Sequence, residues 1–184
     1  MLKFSTYKPS DLPKTYRRQI KYITDIIVKD KKDKYWKNYE NFTIEDQTAI
    51  SVGVNRGKVL VIATIYHRPL FGKDVYRLWN RFLYSPDFRE TGGPKTRDGV
   101  HVNHPLLKQQ IDFVKTLNPK FYFVSRQRKN TRWLKYYIER YNKVYNDTLV
   151  VSDDQYWVCD STAENCCQTI IYPKEMQIPL KKGV

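Results

Sequence analysis

From Thr48 to Tyr84 this chain reads as β-rich runs, the last of which alternates residue by residue, whereas helical spacing of apolar residues marks segments on both sides of that stretch. A period of two belongs to pleated strands and a period near 3.6 to helices, so the switch fixes the order of elements before any motif is read. Leu12, Tyr16, Ile20, Ile23 and Ile27 lie at helical spacing behind a short strand, "FSTY", and Asp11 is the expected N-cap. "KKDKYWKNYENFT" is polar and aromatic and reads as a short helix plus loop.

"TAISVGV" and "KVLVIATIYHR" then read as strands joined at "NRG", where Gly57 suits a positive φ. "VYRLWNRFLY" alternates Val75, Arg77, Trp79, Arg81 and Leu83 on one face with Tyr76, Leu78, Asn80, Phe82 and Tyr84 on the other. With "LFGKD" as the turn, these runs predict an antiparallel meander. Leu106, Leu107, Ile111, Phe113, Val114 and Leu117 return to helical spacing, with Asn103 or His104 as cap and Pro105 in the first turn. "KFYFVSRQ" is a buried strand after the break at Asn118-Pro119, "NTRWLKYYIERYN" a helix capped by Asn130 or Thr131, and "DTLVVSDDQYWVCDS" and "ENCCQTIIYP" two last strands. The order is β-α-(α)-β-β-β-loop-α-β-α-β-β. It predicts an α/β (α+β) fold, a mixed, mostly antiparallel sheet with helices on both faces. No repeat or compositional break divides residues 1–184, so one domain is expected.

Lysine and arginine total 33 against 19 acidic residues, a net charge of +14. Such a field favours anionic partners, among them nucleic acid, phosphorylated cofactors and acidic proteins. The basic residues are spread along the chain, which makes a solvated basic face the default. No apolar run reaches a membrane span, and "MLKFSTYKPSDLPKTYRRQ" lacks the apolar stretch of a signal peptide, so a cytoplasmic protein is expected. Cys159, Cys166 and Cys167 are odd in number and predict free thiols, and their spacing does not suit a tetrahedral metal site.

The segment "SPDFRETGGPKTRDGVHVNHPLL" sits between the last meander strand and the following helix. Arg89, Lys95 and Arg97 lie among its glycines, where backbone amides and a helix N-terminus can hold a phosphate. A solvated surface loop is the other reading of the same residues.

The order of elements, this loop and the stretch "NTRWLKYY" resemble the GNAT superfamily of N-acetyltransferases over most of the chain. Family members carry Q/R-x-x-G-x-G/A after the fourth strand, and Arg89 and Gly92, with Gly93 beside it, stand at that spacing. Pro94 takes the place of the last Gly or Ala and removes an amide donor, and "KTRDGVHVNH" intervenes before Pro105. Family members also carry N-x-x-A-x-x-x-Y, matched here by Asn130, Trp133 at the alanine position, and Tyr137.

The resemblance implies an acyl-CoA N-acyltransferase-like domain that uses acetyl-CoA as cosubstrate and an amine acceptor, a protein among the options. It implies that amides around Phe82, Leu83 and Tyr84 meet the thioester carbonyl, that Arg89, Gly92, Gly93 and Asn130 contact the cofactor, and that Tyr137 is the general acid. Glu45, Asp46 and His67 are candidates for a general base, each also readable as a surface residue, and His101 and His104 read as loop or capping residues. The alternative is a protein of the same fold without catalysis, binding nucleic acid or an acidic protein through interleaved arginines and aromatics in "SRQRKNTRWLKYY". No membrane partner is expected, and monomer and dimer stay open. The richness in Lys, Asn, Ile and Tyr resembles compact acetyltransferase-like proteins of tailed bacteriophages.

Overall fold

The computed structural model describes residues 2–30, 40–68, 71–84, 103–126, 131–159 and 166–183. Its strands are β1 (Lys3–Tyr7), β2 (Ala49–Asn55), β3 (Lys58–Tyr66), β4 (Val75–Tyr84), β5 (Phe121–Arg126), β6 (Leu149–Trp157) and β7 (Cys167–Pro173). Its helices are α1 (Lys14–Lys29), α2 (Asn103–Thr116) and α3 (Thr131–Tyr145). The strands form a seven-stranded sheet in the order β1-β2-β3-β4-β5-β7-β6. The pairings described are antiparallel except β4 with β5. Two compact units divide the chain, one of Met1–Tyr66 with Asn80–Gln110, the other of His67–Trp79 with Ile111–Val184.

In the first unit, α1 follows the expected apolar stripe but starts later than Asp11. Leu12 precedes a proline and is extended, at φ −66° and ψ 121°, so Pro13 takes the N-cap position and the helix begins at Lys14. Asp11 instead closes a 3-10 turn, its N–H donating to the Lys8 carbonyl at 3.0 Å. Ile20, Ile23 and Ile27 pack with Ile50, Val52 and Ile62 of β2 and β3 in one apolar cluster. Burying each such side chain contributes about 1.5–3 kcal/mol relative to exposure.

On the other face of β3, Val61 packs with Leu106 of α2, and Phe4 and Leu2 close over that pair. Adjacent residues of one strand therefore face two helices, which puts helices on both faces of the sheet. Gln110 ties α2 to the same strand, its Nε2 donating to the Thr64 carbonyl at 2.8 Å. The β2–β3 hairpin turns at Arg56 and Gly57, both at positive φ (47° and 77°), as a two-residue primed turn requires. Just behind it Gly53 pairs with Val61 and Val54 with Val59, leaving Leu60 as a bulge.

In the second unit, β4 and β5 pair in parallel through Val75–Phe121, Tyr76–Tyr122 and Arg77–Phe123. The next residues of β5, Val124 to Arg126, pair antiparallel with β7. β7 thus lies between β5 and β6, a placement that the sequence order does not reveal. α3 buries Leu134, Tyr137, Ile138 and Tyr141, an i, i+3, i+4, i+7 stripe. Asn142 completes the turn into β6 by mimicking a strand: its Nδ2 donates to the Leu149 carbonyl at 2.8 Å and its Oδ1 accepts the Leu149 N–H at 3.0 Å. Where the β6–β7 register slips between Val151 and Gln155, Ser152 Oγ accepts the Ile170 N–H at 3.0 Å and donates to the Asp154 carbonyl at 2.7 Å.

The expectation of three free thiols is corrected here. Trp157 pairs with Cys167, and the Val158 N–H donates to the Cys166 carbonyl at 2.8 Å. That pairing leaves Cys159 and Cys166 with Cα atoms 5.3 Å apart and joined by a disulfide, while Cys167 stays a half-buried thiol. The count of cysteines could not show this, because the pairing of two strands creates the proximity.

Candidate active site

β4 carries Phe82, Leu83 and Tyr84 as its last three residues. The segment after it, with Arg89, Gly92 and Gly93 and the neighbouring Lys95, Arg97 and His101, lies outside the described residues, as does Asn130. The helix that follows begins at Asn103, close to the expected cap, and has no acidic residue in its first turn. No carboxylate within that first turn offsets the unpaired amides and the positive dipole end that a helix start presents.

Tyr137 sits on the buried stripe of α3 at 8% exposure, and its hydroxyl oxygen is shut off from solvent. One turn earlier, the Trp133 ring stacks on it with centroids 5.2 Å apart and planes 17° from parallel. Trp133 itself is 49% exposed. A tryptophan at the position where the resemblance expects alanine thus acts as a partly solvated cover over the phenol.

The base candidates are all in polar surroundings. Glu45 is exposed and ion-paired with Arg17, and Asp46 accepts a hydrogen bond from the Thr43 hydroxyl. His67 is exposed and its Nε2 lies 3.0 Å from the Gly72 carbonyl oxygen. His104 departs from its reading as a loop or capping residue: it lies inside the first turn of α2 and is 2% exposed. The α2 stripe that buries Leu106 and Leu107 carries it inward.

Arg77 is the residue whose importance the sequence did not reveal. From β4 its Nε donates to Ser125 Oγ at 3.0 Å and its Nη1 to the Val158 carbonyl at 3.0 Å, and its Nη2 lies 3.5 Å from Gln168 Oε1. One guanidinium therefore spans the acceptors of three chain segments beside the parallel pair. Its sequence signal was weak, one of two arginines in a strand that also carries Asn80.

Deeper in the second unit, burial pushes the phenols of Tyr122 and Tyr141 far above their ordinary range, and the nearby Asp147 carboxylate adds to both shifts. Both phenols are neutral at physiological pH. Among the described residues no group of three or more His, Cys, Asp or Glu is placed to hold a metal ion, and no helix is long and apolar enough to cross a membrane.

No family model matches the sequence, and no curated protein matches it in sequence. Solved structures do match in backbone. An acyl-CoA N-acyltransferase from Pseudomonas aeruginosa gives a TM-score of 0.52 at 16% identity, over 94% of this chain and 98% of that one. ElaA from Escherichia coli gives 0.54 at 12% identity, over 95% of this chain and 100% of that one. A GNAT-family acetyltransferase from Streptococcus pneumoniae gives 0.52 at 10% identity, over 96% of this chain and 100% of that one. The chain has the GNAT acyl-CoA N-acyltransferase fold.

Among the described pairings, the parallel β4–β5 pair is the exception to antiparallel pairing, and it is reached through α2. A parallel neighbour requires such a crossover connection, so the helix after the glycine-containing segment is a topological necessity as well as a candidate anion site.

Proposed function

We propose that this protein is an N-acetyltransferase that uses acetyl-CoA and acts on an amine, carried by a protein or by a small molecule. The observation that carries this reading is the backbone likeness to an acyl-CoA N-acyltransferase over 94% of the chain. One local and one global feature fit a CoA ligand: the first turn of α2 lacks carboxylates, and the chain carries a net charge of +14.

In this reading acetyl-CoA supplies an acyl group activated as a thioester. Backbone amides around Phe82, Leu83 and Tyr84 donate to the thioester carbonyl oxygen as negative charge develops on it. Arg89 and the amides near Gly92 and Gly93 hold the phosphates, and Asn130 contacts the cosubstrate. The amine nitrogen forms its bond to the carbonyl carbon as the carbon–sulfur bond breaks. Tyr137 gives its proton to the leaving sulfur as general acid. A proton from the amine leaves through water, with Glu45, Asp46 and His67 as the candidate acceptors.

Calorimetric titration with acetyl-CoA, CoA and 3′-dephospho-CoA tests the reading. Micromolar binding that weakens without the 3′-phosphate is expected, and absence of binding up to about millimolar ligand retires it. Replacing Gly92 and Gly93 by valines should abolish that binding while leaving the thermal midpoint in place.

One observation favours the non-catalytic alternative. The solvent face of α3 carries Trp133 at 49% and Tyr136 at 63% exposure, with Arg132, Lys135 and Arg140 also exposed. Aromatics among cations suit single-stranded nucleic acid. Oligonucleotide binding with a steep salt dependence, in a protein that ignores acetyl-CoA, would select this alternative.

A further inference from the structure

β1 is the end strand of the sheet, and its alternation puts Lys3, Ser5 and Tyr7 on one face. Those three side chains line an open cleft of about 540 Å³, together with Tyr16 from the start of α1 and Asn55 and Arg56 from the β2–β3 hairpin. That volume falls within the range of small-molecule sites, about 300–1,000 Å³. No residue assigned above to acetyl-CoA or to catalysis contributes to it.

The cleft is built and held open by its own contacts. Gln19 of α1 clamps the hairpin, its Nε2 donating to the Gly57 carbonyl at 2.9 Å and its Oε1 accepting the Val59 N–H at 2.8 Å. The Tyr7 and Tyr16 rings meet edge to face, with centroids 6.3 Å apart and planes at 65°. The Leu60 bulge lies directly behind the hairpin tip, where bulges re-aim strand ends. Arg56 occupies a left-handed position, φ 47°, that favours asparagine or glycine, and its side chain lines the cleft all the same.

The chemistry of the lining has one sign. Two cations, three hydroxyls and one carboxamide are present, and among the described residues no carboxylate lines the cleft. Among the described residues neither Lys3 nor Arg56 forms an ion pair. Such a set donates to an anion with several acceptor oxygens, and a guanidinium with an ammonium suits a phosphate monoester. Val54 and the two tyrosine rings, set at 65° to each other, add apolar and aromatic surface against which a ring can pack.

We propose that this cleft binds a small organic phosphate carrying an aromatic ring, with a nucleoside monophosphate as its simplest representative. The phosphate sits between Lys3 and Arg56, and the ring rests against Tyr7 and Tyr16.

Titration of the full chain with AMP, adenosine and inorganic phosphate tests the assignment. AMP is expected to bind more tightly than either part alone. Lys3→Gln and Arg56→Asn should each weaken AMP about tenfold or more, as loss of a charge-assisted contact does. Asparagine tolerates the left-handed turn, so Arg56→Asn should keep or raise the thermal midpoint, which separates lost affinity from lost fold. Tyr16→Ala should weaken AMP and leave inorganic phosphate unchanged. Acetyl-CoA binding should not move in any of these variants. No heat with AMP up to about 5 mM would overturn the proposal, since even a millimolar site would then be mostly filled. So would AMP affinity unchanged in the Lys3→Gln/Arg56→Asn protein, and inorganic phosphate binding as tightly as AMP would remove the aromatic surface from it.

Discussion

The guanidinium of Arg77 donates from Nε to the Ser125 hydroxyl at 3.0 Å, joining the two parallel strands of the sheet by a side-chain bond. The same group reaches the Val158 carbonyl, so it also anchors the segment that leaves β6. Arg77→Met keeps the stem and removes every donor, leaving partly buried acceptors unmet. We expect a loss of about 2–3 kcal/mol in urea denaturation. Arg77→Lys should recover only a minor part, because one ammonium cannot span the three acceptors. An unchanged midpoint in Arg77→Met would show that the contacts are incidental.

Gly53 is required for space. A Cβ there would stand 2.5 Å from Val61 Cγ1 and 3.0 Å from Phe4 Cε1. Val61 is fully buried and β-branched, so it cannot swing aside. Gly53→Ala should cost about 1–3 kcal/mol by overpacking. Adding Val61→Ala should recover part of that loss, a coupling that a double-mutant cycle measures directly.

Stability should fall on the alkaline side. Burial raises the Tyr122 and Tyr141 phenols in the folded chain, while in the unfolded chain both ionise near the ordinary value of about 10. Below that pH both states hold the protons and the full stability is present. Above it the unfolded state gives up protons that the folded state keeps, so unfolding becomes easier as pH rises. Denaturation midpoints between about pH 9 and 11 should show the decline, and the Tyr122→Phe/Tyr141→Phe protein should show a shallower one. A flat profile through that window would mean that these phenols ionise in place.

Tyr137→Phe separates the catalytic role of that residue from its packing. The ring stays stacked on Trp133, so the thermal midpoint should hold. If the phenol protonates the leaving thiolate, kcat should drop about 100-fold or more with little change in KM for acetyl-CoA. A drop of less than about threefold would take Tyr137 out of the chemistry.

What could be read from residues alone was local. The α1 stripe of Ile20, Ile23 and Ile27, the hairpin at Arg56–Gly57 and the full span Val75–Tyr84 of β4 all follow from periodicity and turn chemistry. These depend on the sterics of neighbouring residues, which a sequence states directly. The element order they produce was enough to predict the fold class. The start of α1 was misread because the constraint Pro13 places on Leu12 outweighs a good capping residue two positions earlier.

Only the tertiary structure decided which distant residues meet. It inserted β7 between β5 and β6, bonded Cys159 to Cys166, and carried Arg77 to partners 48, 81 and 91 residues away. It also gathered Lys3, Tyr7, Tyr16 and Arg56 around one cleft. Strand alternation says which face a side chain occupies but not which strand lies beside it, because neighbours are chosen by the closure of long loops and the burial of whole faces. The apolar pattern was therefore legible along the chain, and the polar assemblies that sit on it came into being only when the sheet closed.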